Sequence, residues 1–244
     1  MPTRCFLTSR IGTAGWSIPA AERESFPSDG SHLERYAARF NAVEINTSFY
    51  RPHRRTTYER WAASVGDDFR FSVKLPKSIS HAQAGEYKAS DIERFADESA
   101  GLGNKLGVVL VQFPPKHIFH ADAADALFTT LRANLPCPLA TEPRHAGWFA
   151  PAVDALLATL QVARVGADPP RVVDGTDEGG WPGMRYRRLH GSPRIYYSRY
   201  ELGMIDALHD AIKNDAIGTE SWCIFDNTAS GAATANALEL ISRQ

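Results

Sequence analysis

Cysteine is scarce: Cys5, Cys137 and Cys223 are odd in number, widely spaced and free of any Cys-x-x-Cys pair in 244 residues. That excludes a disulfide framework and a thiolate zinc site, and it fits a reducing compartment. Charge of one sign is also missing. A formal charge of −1 and a sequence pI near 6.7 give no overall attraction for phosphate backbones, so nucleic-acid binding would need a local patch. No run approaches the ~18 apolar residues that a membrane helix needs, and residues 1–10 lack a long apolar core behind their arginine. There is no nucleotide-cofactor motif, no His-x-His or His-Glu-x-x-His spacing, and no repeat, low-complexity tract or dividing linker. The expectation is a single cytoplasmic domain over residues 1–244, without a membrane segment; oligomeric state stays open.

What is present is an alternation of short apolar runs with helix-like stretches, the mark of parallel strands joined by crossover helices. Eight strands are expected at Ile11–Ala14, Ala42–Asn46, Phe69–Leu75, Gly107–Phe113, Pro138–Glu142, Val162–Gly166, Arg185–His190 and Trp222–Asn227. The count predicts a parallel (β/α)8 barrel, usually about 250 residues long. Ser31-x-x-Glu34, Thr56-x-x-Glu59 and Ser90-x-x-Glu93 have the form of capping boxes, and Pro151 suits a first helical turn. Leu33, Tyr36, Ala37 and Phe40, then Val153, Leu156, Leu157 and Leu160, recur at helical spacing and are assigned to packing. From Asp168 to Met184 the chain is rich in Gly and Pro with no helical period, so the barrel is expected to be irregular, its sixth helix missing or replaced by a loop.

Residues two apart in a strand share a face. Glu44 with Asn46, Ser72 with Lys74, Glu142 with Arg144, and Tyr186 with Arg188 and His190 each make such a set. Gln112 ends the fourth strand, Asp168 follows the sixth, and Asp226 with Asn227 ends the eighth. In a barrel these carboxyl ends converge on the catalytic face. A buried ion-pair network that sets barrel register would explain any one of these residues, but so many charges in one sheltered mouth are costly without paired use.

Several segments together resemble the bacterial and archaeal domain-of-unknown-function 72 proteins, also called YecE-like. They are Ile-Gly-Thr-Ala-Gly-Trp (11–16), Phe-Asn-Ala-Val-Glu-Ile-Asn-Thr-Ser-Phe-Tyr (40–50), Phe-Ser-Val-Lys (71–74) with Ser-His (80–81), Val-Gln-Phe-Pro-Pro (111–115), Glu-Pro-Arg-His-Ala-Gly-Trp (142–148), Tyr-Arg-Arg-Leu-His-Gly (186–191) and Phe-Asp-Asn-Thr (225–228). The resemblance spans nearly the whole chain and implies a TIM-barrel fold with no established activity. Two departures stand out: Asp226-Asn227 where the family pattern usually has two asparagines, and Pro143 in place of a larger apolar residue.

For chemistry, Glu44, Glu142, Lys74 and His190 are the catalytic candidates, with Glu142 first as general acid or base. Trp16, Asn46, Tyr50, His81, Gln112, Arg144, Trp148, Arg188, Tyr197 and Asn227 are candidates for substrate contact. Phosphate is expected at the loops after the last two strands, through His190-Gly191-Ser192 and residues 227–231. A divalent metal, through Glu142, His145, Asp168, His190 and Asp226, is not favoured. The favoured partner is a small anionic or polyhydroxylated substrate, turned over by a hydrolase, lyase or isomerase. One alternative is a single-stranded nucleic-acid protein, since loop aromatics interleave with Arg51, Arg54, Arg55, Arg194 and Arg199. The other is a barrel that binds a metabolite without converting it.

Overall fold

Strands covered on both sides need apolar residues facing both ways, and the two faces of these strands feed two separate cores. A computed structural model describes residues 9–82, 86–170, 172 and 178–244. Its strands are β1 (Ser9–Thr13), β2 (Ala42–Ile45), β3 (Arg70–Lys74), β4 (Leu106–Gln112), β5 (Leu139–Glu142), β6 (Val162–Arg164), β7 (Gly166–Asp168), β8 (Gly179–Gly180), β9 (Met184–Leu189) and β10 (Glu220–Phe225). The helices are α1 (His32–Ala37), α2 (Arg55–Ala63), α3 (Lys77–Ser80), α4 (Ala89–Ser99), α5 (Ala121–Asn134), α6 (Pro151–Thr159), α7 (Leu202–Lys213) and α8 (Ala232–Ile241).

The architecture is α/β with parallel sheets, but the ladders form two sheets, in the orders β1-β10-β9-β7 and β2-β3-β4-β5-β6-β8. All eight expected strands form, displaced at their ends by a residue or two. The irregular (β/α)8 barrel expected from the sequence is therefore met in part. The sixth strand breaks at Val165, whose N–H turns to the Thr141 carbonyl (2.9 Å), so that β6 stays with β5 while β7 pairs with β9. Between β1 and β2 the join is a lone bridge, Ala14 to Glu44. The buried Tyr36 hydroxyl braces that seam, accepting from the Thr13 N–H (2.8 Å) and donating to the Ala42 carbonyl (3.0 Å). Gly12 is required there, since a Cβ would sit 2.0 Å from the Ala42 oxygen.

Outward residues such as Val43, Phe71, Val73, Val109, Val111 and Leu189 pack under the helices. Inward residues form a second apolar floor of Ala42, Val108, Leu110, Ala140, Ala163, Met184, Tyr186, Trp222 and Ile224. Trp222 stacks on Tyr186 at 5.8 Å. Continuing each inward face toward the carboxyl end replaces the apolar floor by Glu44, Lys74, Gln112, Glu142, Arg188 and Asp226, all buried. The site is thus the polar top of a layered interior.

The Ser31–Glu34 capping box forms and Pro151 opens α6. The other two boxes do not: α2 begins at Arg55 and α4 at Ala89, which leaves Thr56 and Ser90 inside the first turn instead of at the cap. Among the described residues no helix lies between Asp168 and Met184; β8 folds back antiparallel on β6. No helix among them is long and apolar enough to cross a membrane.

Candidate active site

Arg188 projects inward from β9 and gathers carboxylates from two other strands and from just past a third. Its Nε and Nη2 hold Glu44 from β2 at 3.0 and 2.7 Å. Nη1 donates to Glu142 of β5, and Nη2 also reaches Asp226 beyond β10 at 3.0 Å. The guanidinium has no exposed surface. Its donors point at protein carboxylates, so its office is to gather and orient those carboxylates.

Glu142 is the most densely bonded of them. It accepts from Gln112 (2.9 Å), Arg144 (3.3 Å) and Arg188, while His190 Nε2 stands 3.5 Å away. Burial pushes its carboxyl up, but Arg188, His190 and Arg144 outweigh burial and hold it well below the ordinary range. Asp226 is lowered likewise: burial opposes ionisation, and Arg188 and His190 overcome it. Asp226 is therefore in use as a counter-charge. Glu44 also accepts from the Tyr186 hydroxyl (2.9 Å), which lies 2.8 Å from Ser72 Oγ. Burial and then Glu44 push the Tyr186 phenol well above its usual value, keeping it a neutral donor.

Two groups differ from these. His190, fully buried, faces Asp226 with Nδ1 (3.0 Å), while Nε2 has no hydrogen-bond partner. Burial would lower its pKa, but Glu142 and Asp226 more than offset that and raise it. Lys74, 7% exposed, makes no hydrogen bond and has no carboxylate within 4 Å among the described residues. Its ammonium lies 4.4 Å from the Phe49 ring centre. Burial and the nearby Arg188 lower its pKa to about 8, only partly countered by Glu44, Glu142 and Asp226.

The structure brings Glu44, Lys74, Gln112, Glu142, Arg144, Arg188, His190 and Asp226 together. His81 adjoins the group, its ring 4.9 Å from Phe49. Other candidates lie elsewhere. Trp148 is buried against Phe113 at 4.6 Å and donates to the His117 carbonyl. Asn227 donates to the Ser198 carbonyl and to Asn236, tethering the loop after β9. Tyr50 projects outward at 73% exposure, and Tyr197 lies under the Arg194 guanidinium at 3.8 Å. His145 caps a short turn by accepting from Gly147 N–H, and Asp168 accepts from Tyr200 (2.7 Å). Among the described residues no group of three or more His, Cys, Asp or Glu side chains is arranged to hold a metal ion. Of the loop arginines, Arg55 pairs with Glu59 and Asp97, and Arg199 with Glu239.

Sequence reasoning passed over one feature. A cavity of about 410 Å³ opens at the β1–β2 seam, lined by Trp16, Asn46, Arg51, His53 and Trp61 among others. Trp61 occupies a helix, and the loop residues Arg51 and His53 follow no strand parity, so no periodic signal marks them. A smaller groove of about 190 Å³ runs from Gly15 and Ser17 to Thr228, Gly231 and Thr234 at the start of α8.

The fold has close counterparts. A DUF72 family protein of Enterococcus faecalis V583 superposes with a TM-score of 0.80 at 22% identity, covering 96% of this chain and 94% of that one. Another, from Thermotoga maritima MSB8, gives 0.75 at 22%, over 97% and 98%. A sugar phosphate isomerase/epimerase from Parabacteroides distasonis gives 0.51 at 11%, over 99% and 97%. At such identities the likeness is one of fold alone, here TIM-barrel-like. UPF0759 protein YecE of Escherichia coli K12 is 35% identical over 104 residues, 43% of this chain and 37% of that protein. UPF0759 protein YunF of Bacillus subtilis 168 is 28% identical over 147 residues, 58% and 52%. The matches thus span between about a third and a half of these relatives' lengths. The model of the protein of unknown function DUF72 matches residues 10–244. With that match running through all of the strands described above, the chain belongs to the DUF72 family.

Proposed function

We propose that the chain is an enzyme on an interrupted (β/α)8 barrel, acting on a small anionic or polyhydroxylated substrate by proton transfer at the strand ends. The observation that carries this is Lys74. A protein that wanted only stability would pair a nearly buried ammonium, and the nearest carboxylates are instead locked on Arg188. With a pKa of about 8, roughly one Lys74 in ten is neutral at pH 7 and able to take a proton. His190, with its raised pKa and an Nε2 that makes no hydrogen bond and stands 3.5 Å from Glu142, is the matching donor. Lys74 removes a proton from carbon or oxygen of the substrate, and His190 delivers one to the oxygen that gains charge. Glu142 and Asp226 stay ionised and flank His190. An isomerase or lyase fits this exchange of protons directly.

An NMR titration of the lysine 13Cε resonances, assigned with Lys74→Arg, tests it. A midpoint for Lys74 near 8 is expected; the ordinary value near 10.4 would remove the base. A screen of aldose, ketose and keto-acid phosphates then supplies turnover, which Lys74→Met is expected to lower by about 100-fold or more. Turnover retained by that variant overturns the assignment.

A further inference from the structure

The cavity at the β1–β2 seam stands beside the charged cluster: none of Glu44, Lys74, Glu142, Arg188 or His190 lines it. Its volume of about 410 Å³ falls within the ~300–1,000 Å³ of small-molecule sites. Asn46 connects the two, because it follows Glu44 by two residues, just past the end of β2, and also lines the cavity.

Three features of the wall define what it takes. First, Asn46 lines the cavity and its side-chain amide makes no hydrogen bond, so the amide has donor and acceptor capacity to spend on a polar ligand. Second, no Asp or Glu lines the cavity, while the Arg51 guanidinium has no carboxylate within 4 Å among the described residues. His53 adds no competing charge: burial and then Arg51 lower its pKa, and its Nε2 lies 2.7 Å from Thr47 Oγ1. A guanidinium left open at the rim matches a phosphate oxyanion. Third, Trp16 and Trp61 meet edge to face, 5.1 Å apart at 74°, and His53 meets Trp61 at 73°. These rings form a corner. A flat base gains most from a parallel stacking slot, whereas a puckered ring with C–H on one face and hydroxyls on the other fills a corner.

We infer that this cavity is a subsite for a phosphorylated sugar: the ring rests on Trp16 and Trp61, a hydroxyl meets the Asn46 amide, and the phosphate pairs with Arg51. The subsite names the substrate class of the proposed enzyme and rests on that reading only for its link to Lys74; its walls stand independently.

Calorimetry and tryptophan fluorescence on the full chain test it, with glucose 6-phosphate and ribose 5-phosphate against glucose, inorganic phosphate and AMP as probes. A sugar phosphate is expected to bind roughly tenfold more tightly than glucose or phosphate alone, through one added charge-assisted contact. Arg51 is exposed, so Arg51→Met keeps the fold and is expected to erase that preference. Asn46→Leu weakens the sugar phosphate and glucose alike, and Arg54→Met, outside the cavity, leaves all affinities unchanged. Tightest binding of AMP, no binding of either sugar phosphate, or an undiminished preference in Arg51→Met overturns the subsite. A Lys74 that titrates near 8 beside an empty cavity overturns the subsite alone. Binding that depends on Arg51 while Lys74 titrates normally overturns the proton-transfer reading alone.

Discussion

Arg187 and Arg188 are adjacent on β9 and point to opposite sides of the sheet. Arg187 faces outward, where it holds Asp215 in two 2.8 Å bonds, pairs with Glu178 and donates to Ser221 Oγ at 2.9 Å. Those partners lie after α7, before β8 and on β10, so the network fastens local connections. Arg188 faces inward and joins β2, β5 and the end of β10. Around Arg187 each charge has its answer. Around Arg188 the carboxylates are answered, but a lysine and a histidine remain whose protonation depends on the cluster. Both networks use buried ion pairs. Only the inner one leaves titratable groups in reserve, and that difference separates a brace from a candidate site.

Removing each guanidinium is the strongest way to break the comparison. Arg188→Met would leave Glu44, Glu142 and Asp226 buried without their common counter-charge, at a loss of about 3–5 kcal/mol. Arg187→Met should lose less, about 1–3 kcal/mol, because fewer carboxylates are stranded. Urea denaturation of the two variants measures both. Equal losses would mean that the inner network is no more than a second brace.

The inner network was largely legible because strand parity is a strict rule. Glu44, Ser72 with Lys74, and Tyr186 with Arg188 and His190 lie inward, as their period of two requires, whereas Asn46 follows β2 with helical backbone angles and lines the seam cavity. Parity says nothing of partners, however. It placed Arg188 among the substrate contacts, and only coordinates reveal that Glu44, Glu142 and Asp226 already fill it. The break at Val165 was invisible, being a change of ladder partner within a continuous extended segment. The seam cavity was legible only in part: Trp16 and Asn46 were expected substrate contacts, but Arg51 and Trp61 come from a loop and a helix that share no spacing with them. Aromatic content alone misled at Trp148, which packs beneath a loop.

A smaller effect, opposite in sign, sharpens the same contrast. The fall in the Lys74 pKa from 10.5 to about 8 corresponds to a penalty of at most about 3 kcal/mol at neutral pH. Lys74→Met removes the charge but also the Phe49 contact, so a net gain of about 1–2 kcal/mol is expected. The native state binds fewer protons than the unfolded state between pH 8 and 10.5. Wild-type stability therefore rises relative to the variant across that window and the gap closes. A variant no more stable than wild type at pH 7 would mean that the amine is not strained, which removes the reserve from the inner network.

The smallest effect belongs to His190, and its sign is the reverse. Its folded pKa is raised above 6.5 by Glu142 and Asp226 against the pull of burial. The stabilisation it gives is complete below its unfolded value near 6.5 and fades as pH rises through the folded value. Glu142 and Asp226 have lowered pKa values, so they remain charged as the medium turns mildly acidic and the pairing persists. His190→Gln keeps a polar side chain but cannot take the proton. The stability difference between wild type and this variant should therefore be largest near pH 6 and shrink toward pH 9, followed by urea denaturation across that range. Parallel curves would show that His190 carries no proton bound more tightly in the fold, and the inner network would then resemble the one built on Arg187.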